Sequence, residues 1–171
     1  MNFVHVLFGF HGRINRAKYW LAAVFWLVIA IVVFGVMAGM LAKDILALGS
    51  DPSGENIVRV VLNYGAGFAL VALVVLVMTV SSFAFGIKRL HDRDQSGWWI
   101  VLFYLGPSVA SAIGHGTGSD AALLVMSLVS FGISIWALVV LGFLRGTRGP
   151  NRYGPDPLAG DAVGVAAAPR V

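Results

Sequence analysis

Four long stretches without Asp, Glu, Lys or Arg constrain the fold of this chain more than any other feature. They cover residues 19–42, 60–87, 95–119 and 121–144 and are 24, 28, 25 and 24 residues long. A helix needs about 20 apolar residues to cross the hydrocarbon core of a bilayer, so each stretch is long enough. Helices satisfy their own backbone polar groups in lipid, and the stretches lack the apolar/polar alternation of barrel strands. The sequence therefore predicts an all-α integral membrane protein with four transmembrane helices.

The composition supports one small membrane domain. The chain has 171 residues, of which 58% are hydrophobic and 12% charged, whereas soluble domains average about 25% charged residues. We expect a single four-span domain over residues 1–158, whose first ten residues form a short interfacial amphipathic segment. A flexible cytoplasmic tail is expected over residues 159–171. The predicted spans are approximately residues 19–42, 60–87, 97–115 and 121–144. The chain has no cysteine, which excludes disulfides, thiolate metal sites and a cysteine nucleophile.

The basic residues predict the orientation. Ten of the twelve Lys and Arg residues precede the first span, lie between the second and third spans, or follow the fourth. The positive-inside rule places these connections in the cytoplasm, so both termini are predicted to be cytoplasmic. Because orientation accounts for the net charge of +4, we expect no nucleic-acid partner.

The membrane interior offers few groups for transport chemistry. No span contains an Asp, Glu, Lys or Arg in its interior, and proton relays and ion paths normally use such groups. Pro107 predicts a kink in the third span, and together with the glycine-rich helices it keeps a small transporter or channel as the alternative function. Gly35 and Gly39 have the spacing that permits close helix packing, either within one monomer or in a homo-oligomer.

The specific polar residues are concentrated in three segments on the predicted cytoplasmic side, residues 10–20, 88–99 and 146–157. Arginine binds carboxylate or phosphate through two parallel hydrogen bonds. Asp92 and Asp94, the headgroups of anionic lipids, and a soluble anionic ligand are all open as partners for these arginines. The candidate interaction cluster comprises Arg13, Arg16, Tyr19, Trp20, Arg89, His91, Asp92, Ser96, Trp98, Asn151, Arg152 and Tyr153.

A purely structural interpretation also accounts for these residues. Arg89 and Asp92 are three residues apart and share one face of a helix. Lys88 and Arg89 suit the negative, C-terminal end of the second span, and Ser96 is placed to cap the third. On this interpretation the cluster serves only the fold and its orientation.

Catalysis and metal binding have little support. His91 precedes Asp92, but neighbouring helical residues point in different directions, and no Ser or Cys nucleophile has a suitable spacing. His5 and His11 with these two residues match no common metal-site spacing. We assign no catalytic, cofactor-binding or metal-binding residue, and we expect the protein not to be an enzyme, with a lipid-headgroup enzyme based on His91 as a further alternative.

Three sequence blocks resemble the signature of a bacterial inner-membrane family called domain of unknown function 805. The blocks are GRINR with a following YW in residues 12–20, RLHD with a following SGWW in residues 89–99, and GPNRYGPDP in residues 149–157. The resemblance extends over roughly residues 5–158 and departs from the family at the more charged turn of residues 93–95. It implies a helical protein of the bacterial inner membrane. It implies no biochemical activity, so no functional residue can be transferred from the family.

The sequence thus predicts a multi-pass protein of the bacterial inner membrane whose biochemical activity it does not identify. The leading hypothesis is a non-enzymatic module that binds a protein partner or an anionic lipid at its cytoplasmic face.

Overall fold

The protein is an all-helical chain in the computed structural model, which describes residues 2–50 and 53–159. Residues 51 and 52, and residues 160–171 of the predicted tail, lie outside the described residues. The helices are α1 (Phe3–Phe8), α2 (Arg16–Ser50), α3 (Gly54–Asp92), α4 (Trp99–Gly116) and α5 (Asp120–Leu138), and α5 continues into a π-helical turn, Val139–Phe143. Within the described ranges there is no β-strand, and Asn151 and Gly154 form an isolated bridge.

Four helices are long and apolar enough to cross a membrane, which confirms the predicted fold class. Their apolar side chains are largely exposed, as in Leu62 at 76% and Leu128 at 62%. Such exposure would oppose folding in water but not in lipid, where the surroundings of the helix are themselves apolar. These exposed faces therefore fit helices that contact the hydrocarbon core.

The two long helices extend well beyond the predicted spans. The α2 helix has 35 residues and α3 has 39, although about 20 residues are enough to cross the core. A charged residue ends an apolar stretch without ending a helix, since Lys and Arg are good helix formers. For this reason α3 continues through Lys88 and Arg89 to Asp92.

Contacts divide the chain into two compact units, residues 1–22 with 82–171, and residues 23–81. The second unit pairs parts of α2 and α3. The Trp26 indole donates a 2.8 Å hydrogen bond to Ser81, and the Tyr64 hydroxyl bonds to Asp44 at 2.8 Å. A Cβ atom at Gly35 or Gly39 would meet no described atom within 4 Å. Within this unit, α3 therefore does not pack closely against these two glycines.

The first unit contains α4, α5 and a hydrophobic core. Small residues and hydroxyls lie where α4 and α5 meet, as is common between membrane helices. The Ser130 hydroxyl donates to the Pro107 carbonyl at 2.8 Å and lies 3.2 Å from the Ser111 hydroxyl. Buried apolar side chains form the core near one end of these helices, namely Leu90, Ile100, Phe103, Val140 and Leu141.

Candidate functional site

Three segments of the first unit, residues 5–20, 88–99 and 140–158, fold together into a structure that we call the polar cap. Asp92, the last residue of α3, lies at its centre and is 4% exposed. Its carboxylate accepts from Arg13 through one oxygen at 3.1 Å and from Arg89 through the other at 2.5 Å. We call these three residues the Asp92 cluster. Both arginines are buried with it, so their charges are satisfied within the protein.

Arg13 connects the segment before α2 to the segment after α5. Besides Asp92, its guanidinium donates to the carbonyls of Thr147 at 2.7 Å, Gly149 at 2.8 Å and Gly154 at 3.2 Å. These acceptors lie more than 130 residues from Arg13 along the chain. Five N–H donors in a planar arrangement allow one arginine to bind several acceptors at once.

Arg89 and Trp20 bond to the end of the π-helical turn. The last carbonyls of any helix lack partners within that helix. Here the Leu141 carbonyl accepts from Arg89 at 2.8 Å, the Leu144 carbonyl also accepts from Arg89, and the Gly142 carbonyl accepts from the Trp20 indole at 3.0 Å. The cation also opposes the negative end of the helix.

Lys88 is a buried member of the cap that the predicted cluster omits. Its ammonium donates to the carbonyls of His5 and Val6 in α1, and its own carbonyl accepts from the Ile14 amide at 3.4 Å. The sequence signal is a lysine directly after the charge-free stretch that ends at Ile87. That signal predicts an interfacial charge and does not predict its burial.

The segment after the π-helical turn is bound to the end of α3. The amide and hydroxyl of Thr147 donate to the Asp92 carbonyl at 2.8 and 3.1 Å. The Asn151 side chain donates to the His91 carbonyl at 2.9 Å. The Tyr153 ring stacks on the His91 ring with centroids 3.8 Å apart.

Two glycines have a clear reason for their lack of a side chain. A Cβ atom at Gly146 would overlap the carboxylate of Asp92, so the chain can pass this carboxylate only as glycine. Gly149 has a φ of 75°, a backbone conformation that glycine adopts without steric cost. The sequence analysis identified residues 146–157 as a polar segment without identifying what its glycines contact.

The structure separates the other predicted residues. Arg152 pairs with Asp94 at 3.1 Å on the surface, away from the Asp92 cluster. The Tyr19 ring packs edge-on against Phe85, and Trp98 is 81% exposed. The Ser96 hydroxyl accepts from the Trp98 amide at 3.4 Å, whereas α4 begins after an N-cap at Trp98 that has no side-chain cap.

The geometry provides no pairing of His91 with Asp92. The Asp92 carboxylate bonds to two arginines, and the His91 ring packs flat against Tyr153. Among residues 2–50 and 53–159, no group of three His, Asp or Glu side chains lies close enough together to hold a metal ion.

A polar cavity of about 260 Å³ opens beside the Asp92 cluster. Its lining includes Arg16, the first residue of α2, and Arg145, which follows α5 and its π-helical turn. Neither arginine forms an ion pair with a residue in the described part of the chain. Asp156 also lines the cavity. Hydrogen bonds from the amides of Leu158 and Gly149 hold the pKa of Asp156 below its ordinary value, and the charges of Arg13 and Arg145 act in the same direction.

Four apolar helices and a polar cap define this chain as a multi-pass integral membrane protein. The chain belongs to the family described as "Protein of unknown function (DUF805)", whose profile matches residues 7–155.

Named relatives agree with this class. The chain is 33% identical over 153 residues to "Uncharacterized protein YiiR" of Escherichia coli strain K12, covering 88% of this chain and 86% of that protein. It is 28% identical over 150 residues to "Inner membrane protein YhaH" of the same strain, covering 87% of each. It is also 28% identical over 153 residues to "Inner membrane protein YhaI", covering 89% of this chain and 88% of that protein. No solved structure matches the chain.

Proposed function

We propose that this protein is a non-enzymatic module of the bacterial inner membrane whose polar cap binds anionic lipid at the cytoplasmic surface. The observation that carries the proposal is the charge of the cap. Its three segments contain nine Lys and Arg residues and three Asp residues, and Arg13 and Arg89 join these segments through Asp92. Anionic lipids attract such basic surfaces by about 1 kcal/mol for each Lys or Arg near the membrane.

A binding role also fits how the polar groups are used. Asp92, the carboxylate next to His91, is held by two arginines, so it does not serve as a partner that would orient His91 as a base. The most buried charges stabilise the cap, while exposed arginines such as Arg16 and Arg145 remain for an external anion. A rigid surface has less conformational entropy to lose when it binds.

The names of two relatives support the inner membrane as the location. The cytoplasmic orientation rests on the positive-inside rule. Because the chain has no cysteine, the labelling of single introduced cysteines can measure this orientation. Leu158→Cys in the cap should be protected from an impermeant maleimide in intact spheroplasts and labelled in inverted vesicles. Ser53→Cys, between α2 and α3, should give the opposite pattern, and the reverse result for this pair would contradict the orientation.

Lipid analysis tests the function directly. The protein should be extracted gently from its own membranes and studied by native mass spectrometry, with the bulk lipid composition measured in parallel. We expect the retained lipids to be enriched in anionic headgroups, and we expect high salt during extraction to reduce that enrichment. Retained lipids with the bulk composition would contradict the proposal. A stoichiometric protein partner without lipid enrichment would instead favour a protein-docking module.

A further inference from the structure

We infer that Arg16 and Arg145 form a discrete site for the phosphate group of a phospholipid, within the cavity beside the Asp92 cluster. This inference rests on the proposed function and assigns a place and a chemical group to it. The two arginines line the same cavity of about 260 Å³. They come from chain segments 129 residues apart in sequence, the start of α2 and the residues after α5, so only the folded cap brings them together.

Charge complementarity identifies the occupant as an anion. Arg13 and Arg89, which bind the Asp92 carboxylate, provide two positive charges, and Arg16 and Arg145 in the cavity lining provide two more. Asp92 and Asp156 provide two negative charges.

Both carboxylates already have partners within the protein. The Asp92 carboxylate contacts two guanidinium groups. The two oxygens of Asp156 accept backbone amides, one from Gly149 at 3.0 Å and one from Leu158 at 2.9 Å. The four arginines and two aspartates therefore carry a net charge of +2. The exposed positive charges among them are those of Arg16 and Arg145.

The remaining lining residues add hydrogen-bond capacity. Asn15 lines the cavity, and its side-chain oxygen accepts the Lys18 amide at 2.9 Å, which caps the first turn of α2. Its amide NH₂ group has no bond to another described residue and can donate to an oxygen anion. A planar guanidinium matches the oxygens of phosphate through paired hydrogen bonds.

The position of the cavity favours phosphate from a lipid. Arg16 lies one turn before Tyr19 and Trp20 on α2, and such aromatic residues are enriched at the headgroup level of membranes. A phosphodiester at the membrane surface is therefore present at high local concentration beside the site, whereas a soluble phosphate would have to compete with it. We assign the site to the lipid phosphate, and free phosphate becomes one outcome of the test.

The experiment compares two double variants that each remove two positive charges. R16Q with R145Q removes the site, whereas R59Q with R148Q removes one exposed charge from the second unit and one from the cap outside the cavity lining. Each variant is extracted with native lipid, and retained anionic lipid is measured by native mass spectrometry. Thermal unfolding midpoints equal to that of the wild type show that the cap is still folded in both variants.

We expect the protein with R16Q and R145Q to retain about tenfold to thirtyfold less anionic lipid than the wild type. The protein with R59Q and R148Q should lose much less. Addition of millimolar inorganic phosphate should not displace the lipid from the wild type. Equal retention in both double variants would overturn the site while leaving the wild-type enrichment, and so the proposed function, intact. Stabilisation of lipid-free protein by inorganic phosphate without lipid retention would overturn the lipid assignment. Loss of a bound protein from R16Q with R145Q at unchanged lipid content would also overturn it.

Discussion

The polar cap and the helix pair of residues 23–81 are stabilised by different kinds of interaction. In the cap, the buried carboxylate of Asp92 binds two buried arginines, and those arginines bond to backbone carbonyls of the segments around them. The helix pair has isolated bonds such as the one from Trp26 to Ser81, with apolar side chains around them. The cap therefore depends on a few buried charges that are costly to leave without a partner, whereas the helix pair depends on many weak contacts. Single substitutions should accordingly have large effects in the cap and small effects in the pair.

The largest effect is expected for Asp92→Ala. This change leaves the guanidinium groups of Arg13 and Arg89 buried without their carboxylate. Removing one partner from a buried ion pair typically costs about 3–5 kcal/mol. We expect a loss of unfolding free energy of this size, measured by reversible denaturation in detergent micelles.

Asp94→Ala is the matched control for this prediction, because it removes the same group from the exposed pair with Arg152. Exposed pairs contribute about 0–1 kcal/mol. Similar losses for the two alanine variants would show that the Asp92 cluster does not stabilise the cap in the way we describe.

Gly146→Ala should have the next largest effect. The added methyl group would overlap the Asp92 carboxylate and force the cluster or the chain to move. Overpacking of this kind costs about 1–3 kcal/mol, which thermal unfolding in detergent can measure. Gly132→Ala in α5 is the control, since a Cβ atom there meets nothing within 4 Å and alanine is the better helix former by up to about 1 kcal/mol. A Gly146→Ala protein as stable as the wild type would contradict the close approach.

Local sequence patterns predicted part of this architecture. The charge-free stretches predicted four long helices, and the spacing of Arg89 and Asp92 predicted their pairing on one helix face. The bond from the Lys18 amide to the Asn15 side chain at 2.9 Å is equally local. Each of these features depends on residues a few positions apart.

The rest of the candidate site depends on contacts that leave no local pattern. Arg13 lies 79 residues from Asp92 along the chain, and its other acceptors are backbone carbonyls, which every residue possesses. The same holds for Lys88, whose acceptors are carbonyls in α1. The cavity between Arg16 and Arg145 also follows only from the folded chain.

Ser81→Ala tests the other side of the comparison. It removes the acceptor of the Trp26 indole within the helix pair. Hydrogen bonds between membrane helices average about 0.6 kcal/mol and reach about 1.7 kcal/mol, so we expect a loss within that range in the same unfolding assay. Ser134→Ala is the control, because that hydroxyl bonds to the Ser130 carbonyl of its own helix. A loss as large as that of Asp92→Ala would remove the distinction between the two regions.

The smallest effect is expected from acid, and it should be confined to the segment after α5. The Leu158 and Gly149 amides bond to the Asp156 carboxylate and lower its pKa from the ordinary value of 3.8. A lowered folded-state pKa means that this carboxylate contributes stability above about pH 3.8 and loses it as the pH falls through the folded value.

Hydrogen exchange can follow the two amides in a pH series from 5 down to 2, after correction for the intrinsic rates. Their protection should fall as the pH passes through the folded-state pKa of Asp156, while the Thr147 amide, which bonds to the Asp92 carbonyl at 2.8 Å, provides an internal reference. In Asp156→Asn the side chain carries no titrating carboxylate, so protection of the two amides should be equal across the series. Wild-type protection that is also unchanged across the whole series would mean that the charge of Asp156 does not order this segment. The segment would then depend on the bonds from Arg13 and Thr147, and the difference between the cap and the helix pair would rest on the Asp92 cluster alone.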